Sequence, residues 1–166
     1  MVIVAVSPSD EGACAMMREL DAEISSLYPD SVIFGIDEAE FEKSGGYFVI
    51  AQQGDQTIGC GGFRPVDEKC AEIKRMFVRP DVRRRGWARQ ILRHLEEEAN
   101  RRGFLSTVLE TGCNNSGAIG LYESEGYSQI PGYPGCQGIL VSRCFIKRWE
   151  ARPTFLQLQP EGDHAH

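Results

Sequence analysis

The stretch MFVRPDVRRRGWARQIL, residues 76–92, decides the fold. It begins as a strand at Met76, Phe77 and Val78 and breaks at Pro80. It then crowds Arg83, Arg84 and Arg85 against Gly86 and continues as an amphipathic helix. A strand that feeds a helix in this way opens a crossover connection to a second, parallel strand. The first turn of the helix has unpaired N–H groups and the positive end of the helix dipole. Gly86 lets the backbone approach a ligand with no Cβ in the way, and Ala88 keeps a nearby position small. With three arginines around it, the seam reads as a cradle for a phosphate or pyrophosphate. It is not a P-loop, since GxxxxGK[ST] is absent, and no GxGxxG opens this helix.

The flanking sequence supplies the rest of the plan. The helix of about 84–101 carries Ala88, Ile91, Leu92, Leu95 and Ala99 on one face, and Gly103 stops it. Upstream, YFVIAQQ (47–53) and TIGCGGFRPV (57–66) meet across Gly54-Asp55-Gln56 as a hairpin, and CAEIKRMFV (70–78) follows. Gly59, Gly61 and Gly62 leave the middle strand thin. Residues 11–28 repeat apolar side chains with helical period, with Ser9 or Asp10 as cap, and a short helix fits 37–42. Met16, Met17 and Leu20 form a stripe that reads as core. Downstream come a strand at 104–110, a helix capped by Ser116 and ended by Gly126, a Gly/Pro-rich loop at 130–138 and a closing strand at 139–149. This order specifies an α+β fold in one domain over residues 1–152, with a polar tail over 153–166.

Composition narrows the class. A chain of 166 residues with 42% apolar and 25% charged residues can bury a core, and no apolar run approaches the length of a membrane span. The start, MVIVAVSPSD, lacks the basic n-region and long apolar core of a signal peptide, so a cytoplasmic location is expected. Six scattered cysteines without a CxxC pair read as reduced thiols rather than a disulfide framework. The net charge of -6 disfavours general nucleic-acid binding. It also conceals an asymmetry: residues 1–72 hold 4 Lys and Arg against 14 Asp and Glu, while residues 73–102 hold 10 against 4. A local anionic ligand at the basic segment and a cationic one at the acidic segment are the expected partners. His94, His164 and His166 lack partner ligands, and no metal site is expected.

Arg83-x-x-Gly86-x-Ala88 resembles the Q/R-x-x-G-x-G/A signature of the GNAT family, the GCN5-related N-acetyltransferases. AEIKRMFVRP before it resembles the family's central strand. LETG (109–112), Asn115-x-x-Ala118, LYESEGY (121–127) and CFIKRW (144–149) extend the likeness, which covers about residues 47–149. The resemblance implies a GNAT fold, a central mixed, mostly antiparallel twisted sheet flanked by helices. It implies an acetyl-CoA-dependent N-acetyltransferase in which an amine attacks the thioester directly. The acceptor would be a small amine or amino acid-like molecule. A protein or peptide N-acetyltransferase and a non-catalytic acyl-CoA sensor of the same fold are the alternatives. A homodimer is compatible with the family.

The same resemblance assigns roles. The backbone of Met76, Phe77 and Val78 would pair with the pantetheine arm like an added strand, and the Val78 amide would polarise the thioester carbonyl. Arg83, Arg84, Arg85, Gly86, Trp87 and Ala88 would surround the pyrophosphate, and Asn115 would lie beside the pantetheine. Trp87 departs from the family's usual aliphatic residue, and its bulk could alter the pyrophosphate loop. Tyr122 is the expected general acid, since a phenol can donate a proton to the departing thiolate. Glu72 is the expected general base, on a strand face shared with Lys74 and Met76, and Glu110 on the adjacent strand is its rival. A nucleophilic Cys113 is disfavoured for want of a nearby histidine.

Overall fold

The computed structural model describes residues 1–30, 35–136 and 141–150. Among these residues seven strands form one sheet: β1 (Val2–Ala5), β2 (Tyr47–Gln53), β3 (Gln56–Pro65), β4 (Cys70–Val78), β5 (Ser106–Gly112), β6 (Ser128–Ile130) and β7 (Ser142–Arg148). Four α-helices among the described residues accompany them: α1 (Glu11–Leu27), α2 (Glu38–Lys43), α3 (Trp87–Arg101) and α4 (Ser116–Ser124). The spatial order is β1-β2-β3-β4-β5-β7-β6, and the β4–β5 pair is the parallel one. This is the expected α+β plan, with α3 as the crossover from β4 to β5.

Several elements differ from the sequence reading. The segment at Val2–Ala5 is an edge strand paired antiparallel with β2. Of the two caps expected for α1, Ser9 or Asp10, it is Asp10 that serves, accepting from the amides of Gly12 and Ala13 at 2.9 and 3.1 Å. Asn115, not Ser116, caps α4, accepting from the Ala118 amide at 3.1 Å. β6 has no sequence signature; three residues are too few to show a period. The expected first residues of the closing strand, 139 and 140, lie outside the described residues, as does the polar tail with His164 and His166.

The core lies on both faces of the sheet. On one face α3 packs Ile91, Leu92 and Leu95 against Val49, Ile73 and Leu109. Gly61 makes this approach possible: a Cβ there would stand 2.7 Å from the Met76 sulfur and 3.2 Å from both Ile91 and Leu95. On the other face α1 and α2 bring Ala13, Met16, Met17 and Phe41 onto Phe48, Ile50, Cys60 and Phe77. Each fully buried aliphatic side chain here contributes about 1.5–3 kcal/mol.

β4 departs from a regular strand in two ways. First, Cys60 pairs with Phe77 and Gly62 with Lys74, so β4 advances three residues while β3 advances two. The extra residue is Arg75, with φ 58, and it makes a β-bulge. Second, β4 and β5 pair only from Cys70↔Ser106 to Ile73↔Leu109. Beyond that point β4 follows β3 and β5 follows β7, and the sheet forks.

Candidate active site

The fork leaves one edge of β4 after Ile73 without a strand partner among the described residues. Such an edge can pair with an extended ligand as an added strand. Met76, Phe77 and Val78 all lie on it. At the far end of β5, the hydroxyl of Tyr28, at the end of α1, accepts from the Asn114 amide at 2.9 Å.

β4 ends at Val78, and a short 3-10 turn over Pro80–Val82 leads to the basic seam. Arg83 has an architectural part there. Its Nε donates to the Val78 carbonyl at 2.8 Å, and its two Nη atoms grip the Glu23 carboxylate on α1 at 2.7 and 2.9 Å. The guanidinium also lies over the Phe77 ring. Arg84 and Arg85 are exposed and have no ion pair among the described residues. Arg84 and Gly86 both have positive φ, 64 and 78, and curl the chain into α3. Gly86 is the N-cap and offers no side-chain acceptor, and Gln90 donates to its carbonyl at 3.1 Å. The amides just before Gln90 therefore remain open to an anion. Trp87 packs against the α3-side core with its indole Nε1 buried and unpartnered among the described residues. Its bulk is thus directed into the core, and Ala88 packs there too.

Glu72 is 6% exposed and heavily engaged. Arg64 Nε donates to its Oε2 at 2.9 Å, the Tyr133 hydroxyl donates to its Oε1 at 2.9 Å, and Lys74 Nζ lies 3.5 Å from Oε1. It borders a cavity of about 240 Å³ lined also by Glu40, Ser44, Arg64 and Pro134. The expected shared face of Glu72 with Met76 needs correction. The bulge at Arg75 shifts the alternation, so Met76 packs on the α3 side with Ile91, while Glu72 faces the α2 side. Glu110 is exposed and forms no ion pair among the described residues. Its charge reaches Tyr133, whose phenol is held well above its ordinary range, by burial first and then by the negative charge of Glu72.

Tyr133 is the residue that sequence reasoning misses. Its loop reads as a Gly/Pro-rich connection, and its partner is 61 positions away. The loop also brings Cys136 beside Cys144 on β7, with Cα atoms 7.3 Å apart. Turning back from β6 to β7 sets the two side by side, a juxtaposition that spacing alone does not reveal. Cys14, Cys60, Cys70 and Cys113 are free thiols.

Tyr122, on α4, is 6% exposed and packs against Tyr127 and Phe145. Burial pushes its phenol up to about 12, so it is fully protonated at neutral pH. Its hydroxyl has no hydrogen-bond partner among the described residues. Asn115 spends its side-chain oxygen on the α4 cap, leaving its NH₂ group for other contacts. His94 bonds the Tyr47 hydroxyl at 3.0 Å and stacks on its ring.

Residues 7–127 match the sequence profile of the acetyltransferase (GNAT) family. The chain belongs to this family. It is an acyltransferase of the GNAT fold, and no helix among its described residues is long and apolar enough to cross a membrane. An IAA acetyltransferase of Azospirillum brasilense is 30% identical to this GNAT protein over 129 residues, covering 77% of this chain and 84% of that one. A [Ribosomal protein bS18]-alanine N-acetyltransferase of Salmonella typhimurium is 39% identical over 72 residues, 41% of this chain and 49% of its own. Among solved structures, a GNAT family acetyltransferase from Elizabethkingia anophelis with acetyl-CoA bound superposes with a TM-score of 0.66. It is 18% identical, with 89% of this chain and 97% of that chain covered.

Proposed function

We propose that this GNAT acyltransferase moves the acetyl group of acetyl-CoA to the amine of a small or amino acid-like acceptor. The fork between β4 and β5 carries the reading, because it offers an unpaired strand edge and open helix-start amides, with Glu72 and Glu110 on the two strands that part there. The pantetheine arm pairs along Met76–Val78. The pyrophosphate rests on the amides of Arg84–Ala88, with Arg84 and Arg85 supplying positive charge and Arg83 bracing the loop. The Val78 amide polarises the thioester carbonyl. Asn115 borders the arm through its NH₂ group.

Glu110 is assigned the general base in preference to Glu72. Glu72 is fixed by Arg64, Tyr133 and Lys74, which suits a positioning role, whereas Glu110 is exposed and without an ion pair among the described residues. In the reaction the amine nitrogen attacks the thioester carbonyl carbon and the carbon–sulfur bond breaks. The amine's proton passes to Glu110, directly or through water, and Tyr122 protonates the departing thiolate. Solvent returns the proton from Glu110 to Tyr122, and the products are an amide and free CoA thiol. The bond from Tyr133 to Glu72 carries the loop across the acceptor face, which favours a small acceptor over a peptide laid in an open groove.

Titration with acetyl-CoA, with desulfo-CoA and ATP as controls, followed by thiol release over a panel of amines tests the reading. Acetyl-CoA binding with acceptor-dependent thiol release supports it. Binding without release from any amine leaves the sensor alternative in its place.

A further inference from the structure

A second cavity, of about 210 Å³, opens on the α1 face beside the bulge in β4. Arg18, Asp21, Glu38 and Arg75 line it, with Met17 and Ile36 as apolar wall. Arg75 is the bulged residue itself, and its side chain is 6% exposed. Its Nη2 donates to the Met17 carbonyl at 3.1 Å and to Asp21 Oδ1 at 2.7 Å. Its Nε is buried with no partner among the described residues, and Nη1 meets no protein acceptor there either. A left-handed backbone and unmade guanidinium bonds are both unfavourable. Such features persist where a ligand completes the bonds. Arg18, one helical turn before Asp21, is exposed and has no ion pair among the described residues.

We infer that this cavity is the specificity pocket of the acceptor and takes a zwitterionic, carboxylate-bearing amino acid-like molecule. This rests on the proposed acetylation of a small amine and names the acceptor's chemistry. The acceptor carboxylate lies against Arg18 and the unfilled donors of Arg75, as charge-assisted hydrogen bonds that a guanidinium suits by its planar fork. Asp21 holds the Arg75 guanidinium in place, and Glu38 faces the cationic end of the ligand. Among the described residues the lining carries two positive and two negative groups, so its separated charges match a molecule with both signs and no net charge. A polyanion would meet Asp21 and Glu38. An uncharged amine would leave the Arg75 donors unfilled, at the cost of buried unmade bonds. Arg75 lies two residues past Ile73, the last position where β4 meets β5, so the pocket adjoins the fork.

The test compares amino acids with their amides and their decarboxylated amines on the full chain. Both direct binding to the CoA-loaded protein and thiol release from acetyl-CoA are measured. The free acids are expected to bind about ten-fold tighter than the matched amides. Arg18→Ala is expected to weaken the acid at least five-fold and the amide less than two-fold; Arg75→Lys, which keeps the charge but loses the fork, is expected to shift in the same direction. Acid-selective binding that depends on Arg18, without turnover, would uphold the pocket while removing the proposed transfer. Amides or decarboxylated amines bound or acetylated as well as the acids, or an Arg18→Ala effect equal for both, would overturn the pocket even if transfer occurs.

Discussion

Tyr133→Phe isolates the contact that docks the 131–136 loop. It removes one O–H donor from Glu72 Oε1, 2.9 Å away, on a carboxylate that is 6% exposed. A hydrogen bond to a charged group contributes about 1.5–3 kcal/mol net. Arg64 still holds Oε2 at 2.9 Å and Lys74 remains 3.5 Å from Oε1, so the carboxylate is not orphaned and the lower end applies. The expected loss is about 1.5 kcal/mol, or about 3–6 °C in Tm for a chain of this size. Urea denaturation of the two proteins should show a lower midpoint with an unchanged slope. An alkaline series adds a second readout. The folded protein holds the Tyr133 proton more tightly than the unfolded chain, whose phenol titrates at its ordinary value of 10.0. The stabilisation is therefore complete below that pH and is lost as pH rises through the folded value. The wild type should lose stability above it more steeply than the variant. Equal midpoints together with superimposable alkaline limbs would refute the docking of this loop on Glu72.

Tyr122→Phe should lower kcat about 10²–10⁴-fold with little change in acetyl-CoA affinity, read by thiol release against calorimetric binding. Glu110→Gln should lower kcat at high acceptor concentration while leaving the denaturation midpoint near wild type, whereas Glu72→Gln should shift the midpoint as well; the reverse pattern would exchange the two roles. Gly86→Ala places a Cβ at φ 78 and should cost about 1 kcal/mol in stability while raising the KM for acetyl-CoA. Hydrogen bonding by Arg101, and then by Arg102, outweighs burial and holds the Glu98 carboxyl at about 2, below its ordinary 4.5. Its stabilisation is present above the ordinary value and disappears as pH falls toward 2, so Glu98→Gln should flatten that acid limb in a pH series of melting curves.

Legibility in the sequence is greatest where a local rule acts. The β4–α3 seam announces itself through Pro80, the arginines and Gly86, and the buried face of α3 follows the helical period. Met16 and Met17 are buried as their spacing in α1 implies. Strand alternation breaks down at Arg75, because nothing in IKRMF distinguishes a bulge from a regular strand. The bulge is set by how β3, with Gly61 beside it, pairs across. The same limit applies to partners distant along the chain. Tyr133 meets Glu72, and Arg75 meets Asp21 across 54 positions, and neither side of such a contact has a local signature. β1 does carry a short β-branched run, Val2-Ile3-Val4, but four residues do not separate an edge strand from an extended lead-in, and its pairing with β2 spans more than 40 positions of the chain.

The bulge also sets what kinds of length change this gene can tolerate. Loops absorb insertions and deletions readily, and a strand edge can often lose a residue by sliding. Between Ile73 and Met76 the strand carries one residue more than regular pairing needs. Deleting Arg75 would restore regular pairing with β3, a local gain in ladder geometry. Because the bulged residue is the one the alternation skips, Phe77 would keep its place among Met16, Met17 and Cys60, and Met76 its place above Gly61. What the deletion would remove is the guanidinium that bonds Asp21 and the Met17 carbonyl. The strand can therefore be shortened here by one codon without inverting its faces, but only by giving up the buried cation of the α1 cavity.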